Sequence, residues 1–105
     1  MAQRVFFLNT LKDDVDTAAY EEWIRRRDYP VARAQPAILS YVVARLEGHV
    51  VDGADLPCQY LETIEVTSID EYRAGLDAPE LAALLDEWRE YVGESVAVYG
   101  EVIEG

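Results

Sequence analysis

The sequence predicts an α+β domain whose strands and helices follow the order β-α-β-β-α-β. Four stretches are rich in β-branched and aromatic residues, and two other stretches place apolar side chains at helical spacing. Between the second and third strand-like stretches, Asp52-Gly53 is a strong signal for a β-hairpin turn. This order is the ferredoxin-like arrangement, in which both helical segments pack on one face of a four-stranded antiparallel sheet.

The first strand and the first helix are predicted within residues 4–36. Residues 4–11 are almost continuously apolar at their centre, which predicts a strand covered on both faces. A turn precedes a helix that Asp16 can cap, and Pro30 should end or kink this helix near Tyr29. Arg27 is expected to point inward, because it lies on the apolar face of the helix. That face comprises Tyr20, Trp23, Ile24, Arg27 and Val31.

The middle of the chain predicts two strands joined as a hairpin. Residues 38–46 form the second strand, and a loop that contains Asp52-Gly53 follows as far as Pro57. The chain is then expected to turn back into a third, antiparallel strand over residues 58–66.

The last third of the chain predicts a divided helix and a final strand. Ser68 and Glu71 have the spacing of a capping box, which starts a helix. Pro79 opens a second helical stretch that reaches residue 91 or 92, so the helix is split or kinked over residues 75–79. Gly93 should end it, and residues 95–103 alternate as a fourth strand.

The strands carry apolar or aromatic residues on both sides, although one helical layer can cover only one face of the sheet. A second copy of the chain is the simplest cover for the other face, because small proteins favour closed symmetric dimers. We therefore expect a homodimer formed through the sheet face.

The charge of the chain excludes several classes of partner. Nine Lys and Arg against twenty-one Asp and Glu give the 105 residues a net charge of −12. Such a surface repels nucleic acids and anionic lipids, and the apolar runs are far shorter than the roughly 20 residues that span a bilayer. Cys58 is the only cysteine and the first residues lack a signal-peptide pattern, so we expect a cytoplasmic protein formed by one domain over residues 1–105.

Four segments carry a resemblance to a known family. They are residues 5–12 (VFFLNTLK), 23–30 (WIRRRDYP), 57–62 (PCQYLE) and 91–100 (YVGESVAVYG). They resemble the RedY-like (HapK) family of prodiginine biosynthesis, within the dimeric α+β barrel superfamily. The resemblance implies bacterial secondary metabolism, either of prodiginines or of bisindoles built from tryptophan, in which family members are thought to steer the cyclisation of a reactive intermediate.

His49 and Glu62 are the candidate catalytic residues. His49 is the only histidine and can move protons near neutral pH, whereas the alternative is a loop histidine without a role. Glu62 lies in the third predicted strand, and in an apolar site its pKa would rise, so that it could act as an acid or a base. The alternative for Glu62 is an ion pair with an arginine.

Arg27, Arg45 and Asn9 are candidate ligand-binding residues. A guanidinium on an apolar element usually holds an anion, so Arg27 and Arg45 could bind a substrate carboxylate. For Arg27 the alternatives are an internal salt bridge, with Glu62 or another strand carboxylate, or an exposed position. Asn9 needs a hydrogen-bond partner in its apolar strand and could offer one to a ligand carbonyl, or it could cap the end of the strand.

The aromatic residues indicate a flat ligand. Seven Tyr and two Trp exceed what a core of this size requires, and flat aromatic ligands stack on such side chains. The candidates for ligand contact are Trp23, Tyr29, Tyr41, Tyr60, Trp88 and Tyr99. The alternative is that these side chains only fill the core and the dimer interface.

No cofactor or metal is expected. His49, Asp52, Asp55 and Cys58 have suitable ligand types but no recognisable metal-ligand spacing, and Cys58 has no histidine at a spacing typical of a nucleophile. A glycine loop for phosphates is also missing from the sequence.

The leading interpretation is a small cofactor-independent cyclase or auxiliary protein that binds a nitrogen-containing aromatic intermediate, of pyrrole or indole type, and steers its cyclisation or condensation. Two alternatives stay open. Asn9 and Trp88 are similar to an asparagine and a tryptophan of the cofactor-free monooxygenases that form polyketide quinones. The other alternative is a non-catalytic dimer that shields an unstable intermediate.

Overall fold

The computed structural model describes residues 2–51 and 53–104, and it confirms the α+β ferredoxin-like class. Four strands form one antiparallel sheet in the order β2-β3-β1-β4, and the helices follow β1 and β3. The elements are β1 (Gln3–Leu11), α1 (Thr17–Trp23), a π segment (Ile24–Asp28), α2 (Tyr29–Arg33), β2 (Ile38–Arg45), β3 (Tyr60–Val66), α3 (Ile69–Gly75), α4 (Pro79–Tyr91) and β4 (Val92–Glu101).

Pro30 does not end the first helix. The side chain of Asp16 caps α1 by accepting the backbone N–H of Ala18 at 3.2 Å. In the π segment the N–H of Tyr29 donates to the carbonyl of Ile24, five residues earlier. This wider turn is followed by a new helical stretch, α2, and Pro30 lies in its first turn, a position that tolerates proline. The helix is interrupted near Tyr29, where the sequence predicts an end or a kink, but the chain stays helical to Arg33.

The second helical region is divided as the sequence predicts. Ser68 caps α3 by accepting the N–H of Glu71 at 3.0 Å, and the region separates between Gly75 and Pro79. Asp52, half of the predicted hairpin turn, lies outside the described residues, but β2 and β3 do pair antiparallel. Within the described ranges, no helix is long and apolar enough to cross a membrane.

Three strands begin at other residues than the sequence predicts, and the first of them, β1, starts one residue early at Gln3. β3 starts at Tyr60, two residues late, and β4 starts at Val92 directly after α4. Gly93 is therefore a strand residue, and it lies where the β1–β4 register shifts between Thr10 and Leu11. A Cβ atom at Gly93 would lie 3.3 Å from the Cγ of Lys12, the residue that follows β1, so a side chain at Gly93 would crowd Lys12.

The two faces of the sheet differ in what covers them. The face toward the helices carries the buried residues Val5, Asn9 and Leu11 of β1 and Tyr60, Glu62, Ile64 and Val66 of β3. The other face, which we call the open face, carries Phe6, Leu8, Val42, Leu61, Val96 and Val98. Val42, Val96 and Val98 are about half exposed on it, so a contiguous apolar surface lies opposite the helices.

Candidate functional site

Glu62 lies at the centre of a buried polar cluster between the sheet and the helices. Glu62 is only 5% exposed. Oε2 accepts hydrogen bonds from the amide Nδ2 of Asn9 at 2.5 Å and from the indole Nε1 of Trp88 at 3.3 Å. Oε1 lies 3.0 Å from the hydroxyl of Tyr41. Side chains from β1, β2 and α4 thus hold one carboxyl group of β3.

Asp28 extends this cluster on the other side of Tyr41. The carboxyl of Asp28, at the end of the π segment, is buried, and its Oδ2 lies 2.6 Å from the hydroxyl of Tyr41. Arg33 lies close to this pair: its guanidinium donates two hydrogen bonds to the backbone carbonyl of Tyr41 and lies 3.8 Å from the ring centre of Tyr29. One phenol therefore contacts two buried carboxyl groups.

Both carboxyl groups of the cluster hold protons more tightly than ordinary acids. Burial raises the pKa of Glu62 to about 7, and the charge of Asp28 adds to this rise. Hydrogen bonds from Tyr41, Asn9 and Trp88 oppose it. Burial likewise raises the pKa of Asp28 to about 6, against the effects of Tyr41 and Arg33. Near neutral pH the cluster can therefore donate or accept a proton.

Asn9 is oriented by its neighbours on both sides. The residue is fully buried, and its Oδ1 accepts a hydrogen bond from the hydroxyl of Ser95 at 2.6 Å. The amide Nδ2 is thereby directed at Glu62. Asn9 does not cap a strand end, because it pairs within β1 to both Tyr60 and Ser95.

A cavity lies beside the cluster. The carboxyl groups of Asp28 and Glu62 are on its wall together with Tyr41, Tyr72 and Trp88, and the rest of the lining is apolar, including Phe7, Ala32 and Leu84. The space open to the centre of a water-sized sphere is about 40 Å³. Since one water needs roughly 10–15 Å³ by this measure, the cavity holds a few waters, and a bicyclic aromatic ligand requires its helical wall to move outward.

Of the predicted aromatic contacts, Tyr41 and Trp88 line this cavity. Trp88 also meets Phe7 edge-on, with ring centres 6.2 Å apart. Tyr29 packs edge-on against Tyr41 at 5.4 Å, and its hydroxyl accepts the backbone N–H of Val43 at 2.9 Å. Tyr29 therefore supports the cluster from behind.

Trp23, Tyr60 and Tyr99 lie elsewhere. Trp23 stacks on Tyr20 in the hydrophobic core. The hydroxyl of Tyr60 donates to Glu21 at 2.7 Å, beside a surface pocket that Arg45 also lines. Tyr99 is half exposed on β4, below the guanidinium of Arg73.

Arg27 does not point inward, and this expectation is wrong. Its side chain is 47% exposed and makes a two-bonded ion pair with Glu87 of α4, at 2.6 and 3.0 Å. Glu87 also accepts the indole N–H of Trp23 at 2.9 Å. The partner of Arg27 is thus a helix carboxylate, and neither Glu62 nor another strand carboxylate.

Arg45 is also paired at the surface. Its exposed guanidinium contacts Glu21 at 2.9 Å and Glu47 at 3.0 Å. Two carboxylates already surround it, and it does not line the cavity beside Glu62.

His49 lies apart from the cavity. It is exposed in the loop between β2 and β3, where its Nε2 is 2.8 Å from the carbonyl oxygen of Asp55. The two predicted catalytic residues are therefore not brought together at the cavity wall. Across residues 2–51 and 53–104, no group of three or more His, Cys, Asp or Glu side chains could hold a metal ion. Cys58 is buried, and its thiol donates to the carbonyl of Tyr60.

Asp28 and Ser95 are members of the cluster that the sequence did not single out. Tyr20, Ile24 and Asp28 recur at intervals of four, and all three are buried, which is the signal that could have identified Asp28. Arg27 follows Trp23 by about one helical turn, and this spacing favoured Arg27 as the inward-pointing residue. In the structure both side chains contact Glu87.

Comparisons with known proteins agree on fold and family. The chain is similar to the crystal structure of HapK from Hahella chejuensis, with 22% identity and a TM-score of 0.79 over 98% of this chain and 94% of that one. It is similar to a dimeric ferredoxin-like protein of unknown function from Thermobifida fusca, with 20% identity and a TM-score of 0.76 over 97% and 92%. It is also similar to SnoaB, a cofactor-independent oxygenase from Streptomyces nogalater, with 17% identity and a TM-score of 0.74 over 99% and 95%.

These structural similarities concern the fold alone. No curated protein matches the sequence. The family model described as REDY-like protein HapK matches residues 3–103, which is nearly the whole chain. The protein therefore belongs to the REDY-like protein HapK family.

Proposed function

We propose that this protein is a cofactor-independent enzyme that binds an aromatic, nitrogen-containing intermediate of bacterial secondary metabolism and steers its cyclisation or condensation by moving protons. Glu62 carries the proposal. Its carboxyl group is buried beside an otherwise apolar cavity, and its pKa of about 7 lets it donate or accept a proton near neutral pH.

The cavity wall supports an aromatic ligand. Trp88 and Phe7 present an edge-to-face pair beside Glu62, and Tyr41 adds a third ring. A pyrrole or indole that stacks on these rings would bring a ring nitrogen or an adjacent carbon within reach of the carboxyl. Holding two reactive ends in one conformer would supply much of the rate. The small volume implies that binding moves the side chains of α3 and α4 outward.

The test of this proposal uses pyrrole- and indole-type precursors under anaerobic, metal-free conditions. We expect the protein to change the distribution of cyclised products, and Glu62→Gln to remove the change. Glu90→Gln, which alters an exposed carboxylate on α4, is the matched control and should keep full activity. Tight binding without any change in rate or product would contradict catalysis and identify a non-catalytic binding protein. Equal activity of Glu62→Gln and the parent would remove Glu62 from the mechanism.

We further propose a homodimer through the open face. Phe6 and Leu8 of β1 lie beside Val98 and Val96 of β4, and Leu8 also lies beside Leu61 of β3. An apolar surface of this kind is normally covered in a soluble protein. The Thermobifida relative is described as dimeric, which supports the same arrangement here. A native mass near 12 kDa at micromolar concentration would contradict it.

A cofactor-independent monooxygenase is the second candidate. The N–H groups of Asn9 and Trp88 converge on one oxygen of Glu62, so they could stabilise a substrate oxyanion if the Glu62 side chain turned aside. The fold is shared with SnoaB, a cofactor-independent oxygenase. Oxygen consumption with an anthrone-type substrate would favour this function, and activity that persists without oxygen would favour the cyclase.

A further inference from the structure

Asp28 is a second buried carboxyl group beside the cavity. The proposed function uses only Glu62 for proton transfer and assigns no role to Asp28. The hydroxyl of Tyr41 lies 2.6 Å from Oδ2 of Asp28 and 3.0 Å from Oε1 of Glu62. A phenol has one hydrogen to donate. Tyr41 can therefore donate to only one of the two groups, and the other contact needs a proton on a carboxyl group.

The two distances favour one place for that proton. Hydrogen bonds from O–H groups to oxygen span 2.5–3.0 Å, and those to an ionised carboxylate lie at the short end of this range. The 2.6 Å contact fits Tyr41 as the donor to an ionised Asp28, with Glu62 protonated on Oε1 and donating to the oxygen of Tyr41 at 3.0 Å. Oε2 of Glu62 stays available as the acceptor for Asn9 and Trp88.

We propose that Asp28 and Glu62 share one proton through the hydroxyl of Tyr41, so that Glu62 presents either its acid or its base form to the cavity without exchanging a proton with solvent. In this transfer the Oε1–H bond of Glu62 breaks, and this proton forms a new O–H bond with the oxygen of Tyr41. At the same time the original O–H bond of Tyr41 breaks, and that proton forms a new O–H bond with Oδ2 of Asp28. Tyr41 is neutral before and after, and the pair keeps one proton and one negative charge.

The surroundings of the pair favour a shared proton over two charges. Arg33 of α2 is the cation that acts on Asp28. Tyr20 of α1 and Tyr72 of α3 stay protonated, because burial, and then the two carboxylates, raise the pKa of each phenol. Burial and both carboxylates also keep the pKa of Tyr41 well above its usual value. With Asn9 and Trp88 neutral, two ionised carboxylates would face a single guanidinium, and this cost keeps one proton on the pair.

The sharing rests on the proposed function only for its use in a reaction, so it is tested without substrate. With ¹³C-labelled carboxyl groups, NMR follows Glu62 and Asp28 from about pH 4 to about pH 9. In the parent protein we expect each carboxyl signal to change in both titration steps, since the proton belongs to the pair. In Tyr41→Phe the path through the phenol is gone and only the charge interaction between the two carboxyl groups remains, so each signal should change chiefly in one step. Tyr72→Phe removes a phenol of the same cavity that feels the two carboxyl groups only through their charge, and it should keep the parent behaviour.

Asp28→Asn provides a second variant in case Tyr41→Phe does not fold. The amide that replaces the carboxyl of Asp28 cannot take the proton, and Tyr41 would then donate to Glu62, so the midpoint of Glu62 should fall. Independent single steps in the parent, or a midpoint of Glu62 that does not move in Asp28→Asn, would overturn the sharing. If both carboxyl signals change in two steps but the protein converts no precursor, the shared proton stands and only the proposed enzymatic function is contradicted.

Discussion

Asn9 and Glu62 are diagonal neighbours on the helix-facing side of the sheet. In the β1–β3 register Phe7 is opposite Glu62 and Asn9 is opposite Tyr60. The amide of Asn9 therefore contacts the carboxyl of Glu62 diagonally, two residues from its directly opposite partner on β3. Ser95, opposite Asn9 on β4, holds the amide from the other side. A line of hydrogen bonds therefore crosses three strands and ends at Glu62.

Asn9→Ala should raise the pKa of Glu62 above about 7. The hydrogen bond from Asn9 lowers this pKa, and the substitution removes it while the burial stays. It also leaves the hydroxyl of Ser95 without its acceptor, so we expect the free energy of unfolding to fall by about 1–3 kcal/mol. NMR titration of the Glu62 carboxyl measures the first effect and urea unfolding the second. Ser95→Ala is the control: it keeps the donor to Glu62, so an equal rise in that variant would contradict the explanation.

The stability of the protein should fall as the pH rises from about 4.5 to about 7. Burial raises the pKa of Glu62 from 4.5 to about 7 and that of Asp28 to about 6, so the folded chain binds more protons than the unfolded chain in this window. This contribution to stability is complete below the unfolded pKa and is lost as the pH passes the folded pKa. For Glu62 alone it amounts to about 3 kcal/mol, measured by urea unfolding at a series of pH values.

The matched variants for this pH dependence are Glu62→Gln and Glu90→Gln. Glu62→Gln removes the larger titration and should flatten the dependence, leaving the part due to Asp28. Glu90→Gln changes the same charge on the exposed side of α4 and should keep the full slope. A slope that is as steep in Glu62→Gln as in the parent would exclude Glu62 as its source.

Val98→Asp should dissociate the proposed dimer. Val98 is 49% exposed on the open face beside Phe6, and a carboxylate there would be desolvated at an interface between two sheets. Light scattering after gel filtration should show the mass change from two chains to one. Val50→Asp introduces the same charge at a fully exposed residue of the β2–β3 loop and should stay dimeric. Equal masses for the two variants would place the interface elsewhere.

Arg27→Gln should raise the pKa of Glu87 and leave ligand binding unchanged. The hydrogen bonds from Arg27 and then Trp23 lower the pKa of Glu87 to about 2, and Arg27 has no place on the cavity wall. Arg26→Gln, on the same helical segment, is the control and should leave Glu87 as it is. NMR titration and ligand affinity together decide the role of Arg27. If Arg27→Gln weakened ligand binding and Arg26→Gln did not, Arg27 would instead bind a carboxylate of the ligand.

The sequence singled out three of the cluster members that lie on strands, but not Ser95 of β4. Asn9, Tyr41 and Glu62 are polar residues in apolar strands, where alternation and the need for hydrogen-bond partners already predict a buried site. Asp28 was not predicted: it continues the four-residue spacing of Tyr20 and Ile24, but a carboxylate on an apolar stripe is usually exposed, and the π segment that orients it follows from packing. The partner of Arg27 depends on how closely α4 approaches the first helical region, and this distance is set by packing between residues far apart in the chain.

Ala32→Leu should block ligand binding with little change in thermal stability. Ala32 of α2 is buried on the cavity wall, and three added carbons would occupy most of the roughly 40 Å³ that is open beside Glu62. Leucine keeps a high helix propensity, so the filled cavity and some crowding should nearly offset each other in the melting temperature. We expect the affinity for an indole-type ligand to fall about 10-fold or more, which calorimetry measures and which corresponds to at least about 1.4 kcal/mol. Ala83→Leu, at an exposed residue of α4, is the control and should bind as the parent does. Undiminished binding in Ala32→Leu would move the ligand out of this cavity, and the surface pocket between Tyr60 and Arg45 would be the next site to test.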